Sequence, residues 1–212
     1  METNTTPIHS TKFLGLTIDT SLSWKYIEEI KSKLNKACYA IQSFKPFMSL
    51  EVLKMTYFSY VHSVLSYGII FWGNSSYSKN ILKFQIRIIW VIMSSVRRDS
   101  CHELFRQLNI LLLHSQYIVS LLLFIIKNGD HFLSNEIRDI NTRYNFHLHL
   151  SLENLTLYQK GVFFAGSWIF NHLLSIIKDL SNYGKCFKTA VKRYFLGISF
   201  YSLVEYFNQN LL

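Results

Sequence analysis

The chain has 212 residues, with 22 Lys+Arg against 13 Asp+Glu for a formal net charge of +9; 50% of residues are hydrophobic, 16% aromatic and only 17% charged. This is too apolar and too poor in charge for a disordered chain, and the length suffices for one or two domains with a real core. Eight Gly and two Pro provide too little turn punctuation for an all-β fold, so a mainly α fold is expected.

Residues 12–19, K-F-L-G-L-T-I-D, read as one arm of a hairpin, with Gly15 marking a bend or a close backbone approach. Few residues precede it, so its partner strand is expected to be short or missing and the N-terminus reads as a cut. Over residues 24–44, Ile27, Ile30, Leu34, Ala37, Cys38, Ile41 and Phe44 step by three and four, the period of one helical face. Residues 50–67 predict a second helix, ringed by Tyr57, Phe58, Tyr60 and Tyr67 and therefore buried on most sides, closing at Gly68 and Gly73. A third helix is predicted over 77–94. Ser100 and Glu103 fit the S-x-x-E capping box of a short fourth. The most apolar stretch, residues 110–126, carries His114, Ser115, Gln116 and Ser120, whereas a membrane span wants about 20 nearly uninterrupted apolar residues, so no stable membrane insertion is expected. Residues 128–156 lack a period and read as an irregular connection. Beyond them, 165–177 and 185–196 read as helices, and 199–207 as a final turn or short helix.

Little catalytic chemistry is available. Cys38, Cys101 and Cys186 are scattered and form no C-x-x-C pair, which excludes a zinc knuckle and a disulfide framework on spacing. Odd, scattered thiols and an N-terminus without a basic or apolar leader point to an intracellular protein, nuclear or cytoplasmic and not secreted. The adjacent acids Glu28 and Glu29 project about 100° apart on a helix and have lysine neighbours, as on a solvated face. His147 and His149 have no Cys or acid at ligand spacing. No G-x-S-x-G, Walker loop or G-x-G-x-x-G occurs. Neither a catalytic residue, a metal nor a cofactor is expected.

Charge is what remains. Residues 79–98 carry Lys79, Lys83, Arg87, Arg97 and Arg98 without an acid. Lys79, Lys83 and Arg87 advance by four and sweep an arc of about 80° on the third helix. Such a stripe is the footprint of a helix lying along a phosphate backbone, or else a merely solubilising face. A second group, with Lys33 and Lys36 as candidates, includes Lys25, Lys31 and Lys45 and is diluted by Glu28 and Glu29. A third comprises Lys185, Lys188, Lys192 and Arg193.

Several blocks resemble one family. The run at 12–19, L-S-W at 22–24, Ile30, Lys36 with Ala37, and the stretch 57–73 ending in Y-G-x-x-x-W resemble the region just after the polymerase palm in reverse transcriptases of non-LTR retrotransposons, most like jockey-type elements. C-H-E-L-F at 101–105, N-T-R at 141–143, Y-Q-K-G-V at 158–162 and G-S-W-I-F-N-H at 166–172 resemble that family's C-terminal region. The resemblance covers roughly residues 11–208. It implies a palm-proximal hairpin remnant at 1–23, a helical thumb-like domain at 24–127, the irregular connection at 128–156 and a C-terminal helical extension at 157–212. It also implies an RNA or DNA template-primer duplex and a missing palm as partners. The family's palm carries an adjacent Asp-Asp pair, which this chain lacks, so the fragment is not expected to be an enzyme by itself. The sequence departs from the family in three places: one residue fewer before Ile27, Leu174 where a Pro is usual, and F-Q-I-R-I-I-W at 84–90 where members resemble I-Q-K-R-I-I-R. Ile86 and Trp90, at about 340° and 20° from Lys79, thus replace two cations beside the basic arc, where restored charge is expected to leave the core untouched. Two rivals fit the same residues: a relic reading frame without selected function, and a helical interaction or membrane-associated protein built around residues 110–126.

Overall fold

The computed structural model describes residues 10–19, 26–95, 101–129, 148, 150, 154–198 and 200–209. The chain enters as an antiparallel hairpin, β1 Ser10–Phe13 and β2 Leu16–Asp19, with Phe13 opposite Leu16. Residues 12–19 therefore hold parts of both arms and the turn, rather than a single arm. Leu14 and Gly15 both have positive φ, 47° and 77°, as two-residue hairpin turns require. A leucine at the first of these positions hides the turn, which Asn-Gly would have announced. The turn is held from across the molecule: the Tyr67 hydroxyl donates to the Leu14 carbonyl.

Helix α1 (Tyr26–Phe44) buries Ile27, Ile30, Leu34, Ala37, Cys38 and Ile41 as its period demands, but Phe44, expected on the same face, is exposed at the helix end, where no further turn of α1 covers it. A 3-10 turn, Lys45–Phe47, leads into α2 (Leu50–Thr56), preceded by Ser49 in extended conformation. The run expected to reach residue 67 as one helix instead passes through a π-helical turn, Tyr57–His62, before α3 (Ser63–Ser66). The hydroxyls of Thr56, Ser59, Ser63 and Ser66 each donate to a carbonyl three or four residues back. Such back-bonding competes with the regular ladder and bends helices. The wrap of aromatics is also one-sided: Tyr57 is buried, but Tyr60 and Tyr67 are exposed.

Gly68, at φ 60°, starts α4 (Ile69–Trp72), and α5 (Ser78–Met93) follows. After α6 (Cys101–Gln107), a short extended link leads to α7 (Leu113–Lys127). The C-terminal part contains α8 (Thr156–Gln159), α9 (Val162–Asn171), α10 (Ser175–Lys178), α11 (Gly184–Gly197) and α12 (Leu203–Gln209). The helix expected over 165–177 is thus two pieces.

Helices α1 and α5 pack along each other, while α7 touches α3, α4 and α5 on one side and α9 and α11 on another. That central position explains the apolarity of residues 110–126: every residue from Ile110 to Val119 is buried. No helix among the described residues is long and apolar enough to cross a membrane. The fold is mainly α.

Candidate nucleic-acid interface

Helix α5 turns Ile81, Leu82, Gln85, Ile88, Ile89 and Ile92 inward. Lys79, Lys83 and Arg87 lie opposite and are exposed. The ion pairs among the described residues, Lys31 with Glu28 and Arg106 with Glu103, are both local pairs on other helices. The stripe therefore presents three cations with no described carboxylate in ion-pair contact. Arg97 and Arg98 lie outside the described residues.

Lys33 and Lys36 are also exposed, on α1, but they do not join that stripe. Arg87 lies on the Cys38 flank of α1, where its charge partly offsets the upward push of burial on the thiol. Lys36 is about 160° around α1 from Cys38 and borders a groove toward the π-helical turn. The Lys33 ammonium stands 6.0 Å from the centre of the Tyr26 ring. Lysines 185, 188 and 192 and Arg193 are exposed on α11. Burial, and secondarily the Lys192 charge, lower the pKa of His62 in the π-helical turn.

Ile86 and Trp90 do not behave as vacated surface positions. Both are partly buried and pack against the core, and the Trp90 side chain meets the Cys101 thiol. Helix α6 packs against α5, and its Cys101 meets a side chain, Trp90, that an isolated helix would leave wet. Charge restored at position 90 would therefore enter packed surroundings, contrary to the wheel. Trp90→Arg is expected to lower stability by about 3 kcal/mol through lost packing and an unpaired cation, seen as a lower urea midpoint without a gain in duplex affinity. Ile86→Lys is expected to cost less, because a lysine stem can carry its ammonium to water.

Sequence reasoning missed a buried polar junction behind the stripe. The Gln85 side chain is fully enclosed; its Nε2 donates to the Tyr57 hydroxyl (2.8 Å) and the Leu111 carbonyl (2.9 Å), and its Oε1 accepts from the Leu113 amide (2.9 Å). One amide thus ties α5 to the π-helical turn and to the start of α7. Its signal was present as a polar residue in the middle of the apolar face of α5, whose other buried polar residue, Ser78, opens the helix. Nearby, His114 is buried with Nε2 3.4 Å from Ser78 Oγ. Burial, reinforced by Lys79, lowers its pKa to about 4, with Glu205 opposing.

Two of the blocks that carry the family resemblance do structural work. In the Y-G-x-x-x-W-G corner, Tyr67 holds the hairpin, and the Trp72 indole, fully buried, donates to the Tyr67 carbonyl at 3.0 Å. A Cβ on Gly73 would stand 2.5 Å from the Tyr117 ring. In the 166–172 block, a Cβ on Gly166 would stand 2.8 Å from Ile125, so α9 and α7 approach closely. Asn171 exchanges two hydrogen bonds with the backbone of Leu148, and the buried Lys178 ammonium donates to the Asn171 carbonyl at 2.7 Å. Among the described residues, no group of three or more His, Cys, Asp or Glu is placed to hold a metal; His147 and His149 lie outside them. Comparison with protein-family models, curated proteins and solved structures finds no match to the chain.

Proposed function

We propose that the chain is the thumb-like part and C-terminal extension of a non-LTR retrotransposon reverse transcriptase. On this reading it grips the backbone of a template-primer duplex and has no polymerase activity of its own. The observation that carries the binding role is the exposed row Lys79, Lys83 and Arg87 on a helix whose other side is fully packed. A rigid cationic ridge of this kind neutralises successive phosphates without reading bases. Leu174, which departs from the Pro that members usually carry, stands at the break between α9 and α10 with φ −57°, a backbone that a proline could also adopt. The chain lacks the adjacent aspartates of the palm, so phosphoryl transfer needs residues from outside it.

Salt titration of duplex binding tests the reading. Three backbone contacts predict log K against log salt with a slope of about −2.7, and five, if Arg97 and Arg98 take part, about −4.5. Lys83→Ala with Arg87→Ala is expected to shallow the slope by about two while leaving sequence preference unchanged. Lys185→Ala with Lys188→Ala changes the net charge equally and serves as the control. Equal slopes for the two double variants would remove the stripe as the binding surface. Primer extension with Mg²⁺ is expected to yield nothing, and synthesis by the purified chain would overturn the non-catalytic assignment.

A further inference from the structure

A second surface, separate from the α5 stripe, has the form of a docking groove. Ala37, Ala40 and Ile41 of α1 face Thr56, Tyr60 and Val61 across a depression of ≈ 250 Å³ that is mostly apolar. Two features of the fold create it. Alanines at 37 and 40 keep α1 thin along that line, and the π-helical turn at Tyr57–His62 widens the opposite wall. Apolar surface continues beyond the groove: Phe44, one turn past Ala40, is 55% exposed, and Tyr60 is 44% exposed. The rim is cationic. Lys36 borders the groove, and Lys33, also exposed, lies one turn before Ala37.

We propose that this groove docks an amphipathic helix of a separate protein, with an apolar ridge and an acidic flank. The reading is independent of duplex binding by α5. A concave, aliphatic trough between two helical walls matches the ridge of a helix spaced i, i+3, i+4, i+7. Lysines along its rim complement carboxylates beside that ridge. A second copy of this chain is a poor occupant, since two-fold pairing would oppose the same lysines on chains of net charge +9. A single nucleic-acid strand needs successive flat faces for its bases, and among the residues that line the groove only Tyr60 has one. A bilayer surface gains nothing from a recess between helices.

The probe is a fluorescein-labelled amphipathic peptide with Leu at i, i+3, i+4 and i+7 and Glu on its flanks. Its counterpart carries Lys at every Glu position, and both are titrated with the full chain by anisotropy. The acidic peptide is expected to bind saturably and at least about tenfold more tightly than the basic one. Ala40→Leu, which fills the groove, and Lys36→Glu, which reverses its exposed rim, are each expected to weaken binding about tenfold. Lys83→Ala with Arg87→Ala is expected to leave it unchanged. The surface variant keeps the test decisive if the groove variant fails to fold. Equal affinity for both peptides, or indifference to Lys36→Glu, overturns the proposal. So does a sedimenting dimer that Ala40→Leu dissociates, or anionic-vesicle binding that Ala40→Leu abolishes and the peptide does not compete.

Discussion

Gln85→Leu is expected to destabilise the fold by about 3–5 kcal/mol, read as a lower urea midpoint at unchanged m. The substitution removes the partners of the Tyr57 hydroxyl, the Leu111 carbonyl and the Leu113 amide at once. Each buried orphan costs roughly 1–3 kcal/mol, and the added apolar surface of Leu returns part of the sum. Tyr57→Phe deletes one of the three interactions and is expected to cost only about 1 kcal/mol. Full burial pushes the Tyr57 phenol well above its ordinary range, so the junction stays neutral across accessible pH and its contribution does not titrate. If the two variants lose equal stability, Gln85 is not the tie between α5, the π-helical turn and α7.

Acidification is expected to weaken the protein between about pH 6.5 and 4, through His114. The folded-state pKa is lowered from 6.5 to about 4, first by burial and then by Lys79, with Glu205 pulling the other way; Ser78 Oγ is the one described hydrogen-bonding neighbour. Below about pH 6.5 the unfolded chain takes up a proton that the folded imidazole refuses until about pH 4. Stability is therefore lost as pH falls through this window, up to about 3 kcal/mol in total at about 1.4 kcal/mol per pH unit. Above about pH 6.5 both states are neutral and the histidine contributes no slope. His62 and His102 are also lowered by burial and act with the same sign, so His114→Gln is expected to flatten the curve in part. Urea unfolding at pH 7.0, 5.5 and 4.5 reads the effect. Parallel curves for the two proteins would mean that His114 titrates from a solvated site.

Helix α1 and the outward face of α5 were legible in the sequence because each packs mainly along one side. A 3.6-residue period marks the buried stripe, and the cations at 79, 83 and 87 fall opposite it by arithmetic alone. The same arithmetic failed at Ile86 and Trp90. A helical wheel treats each helix as having one neighbour, whereas α5 contacts α1, α2, α6 and α7, and Trp90 meets Cys101 of α6. The hairpin was half legible. Gly15 signalled a bend, but the positive φ of Leu14 is supported by Tyr67, more than fifty residues away, and such support leaves no local signature. The π-helical turn likewise arises from serine and threonine hydroxyls competing with backbone amides, a contest whose outcome depends on what the widened turn packs against.

The sequence by itself determined that this protein is mainly helical, that α1 and α5 are amphipathic, and that positive charge concentrates on α5, α1 and α11. Those properties follow from local periodicity and composition. Only the tertiary structure decided that Lys36 and Arg87 lie on different flanks of α1, that residues 110–126 are the centre of a bundle, that Gln85 is a three-way tie, and that Ala37 and Ala40 border an open groove. Each of these depends on how helices distant in sequence pack side by side, which no single helix encodes in its own period.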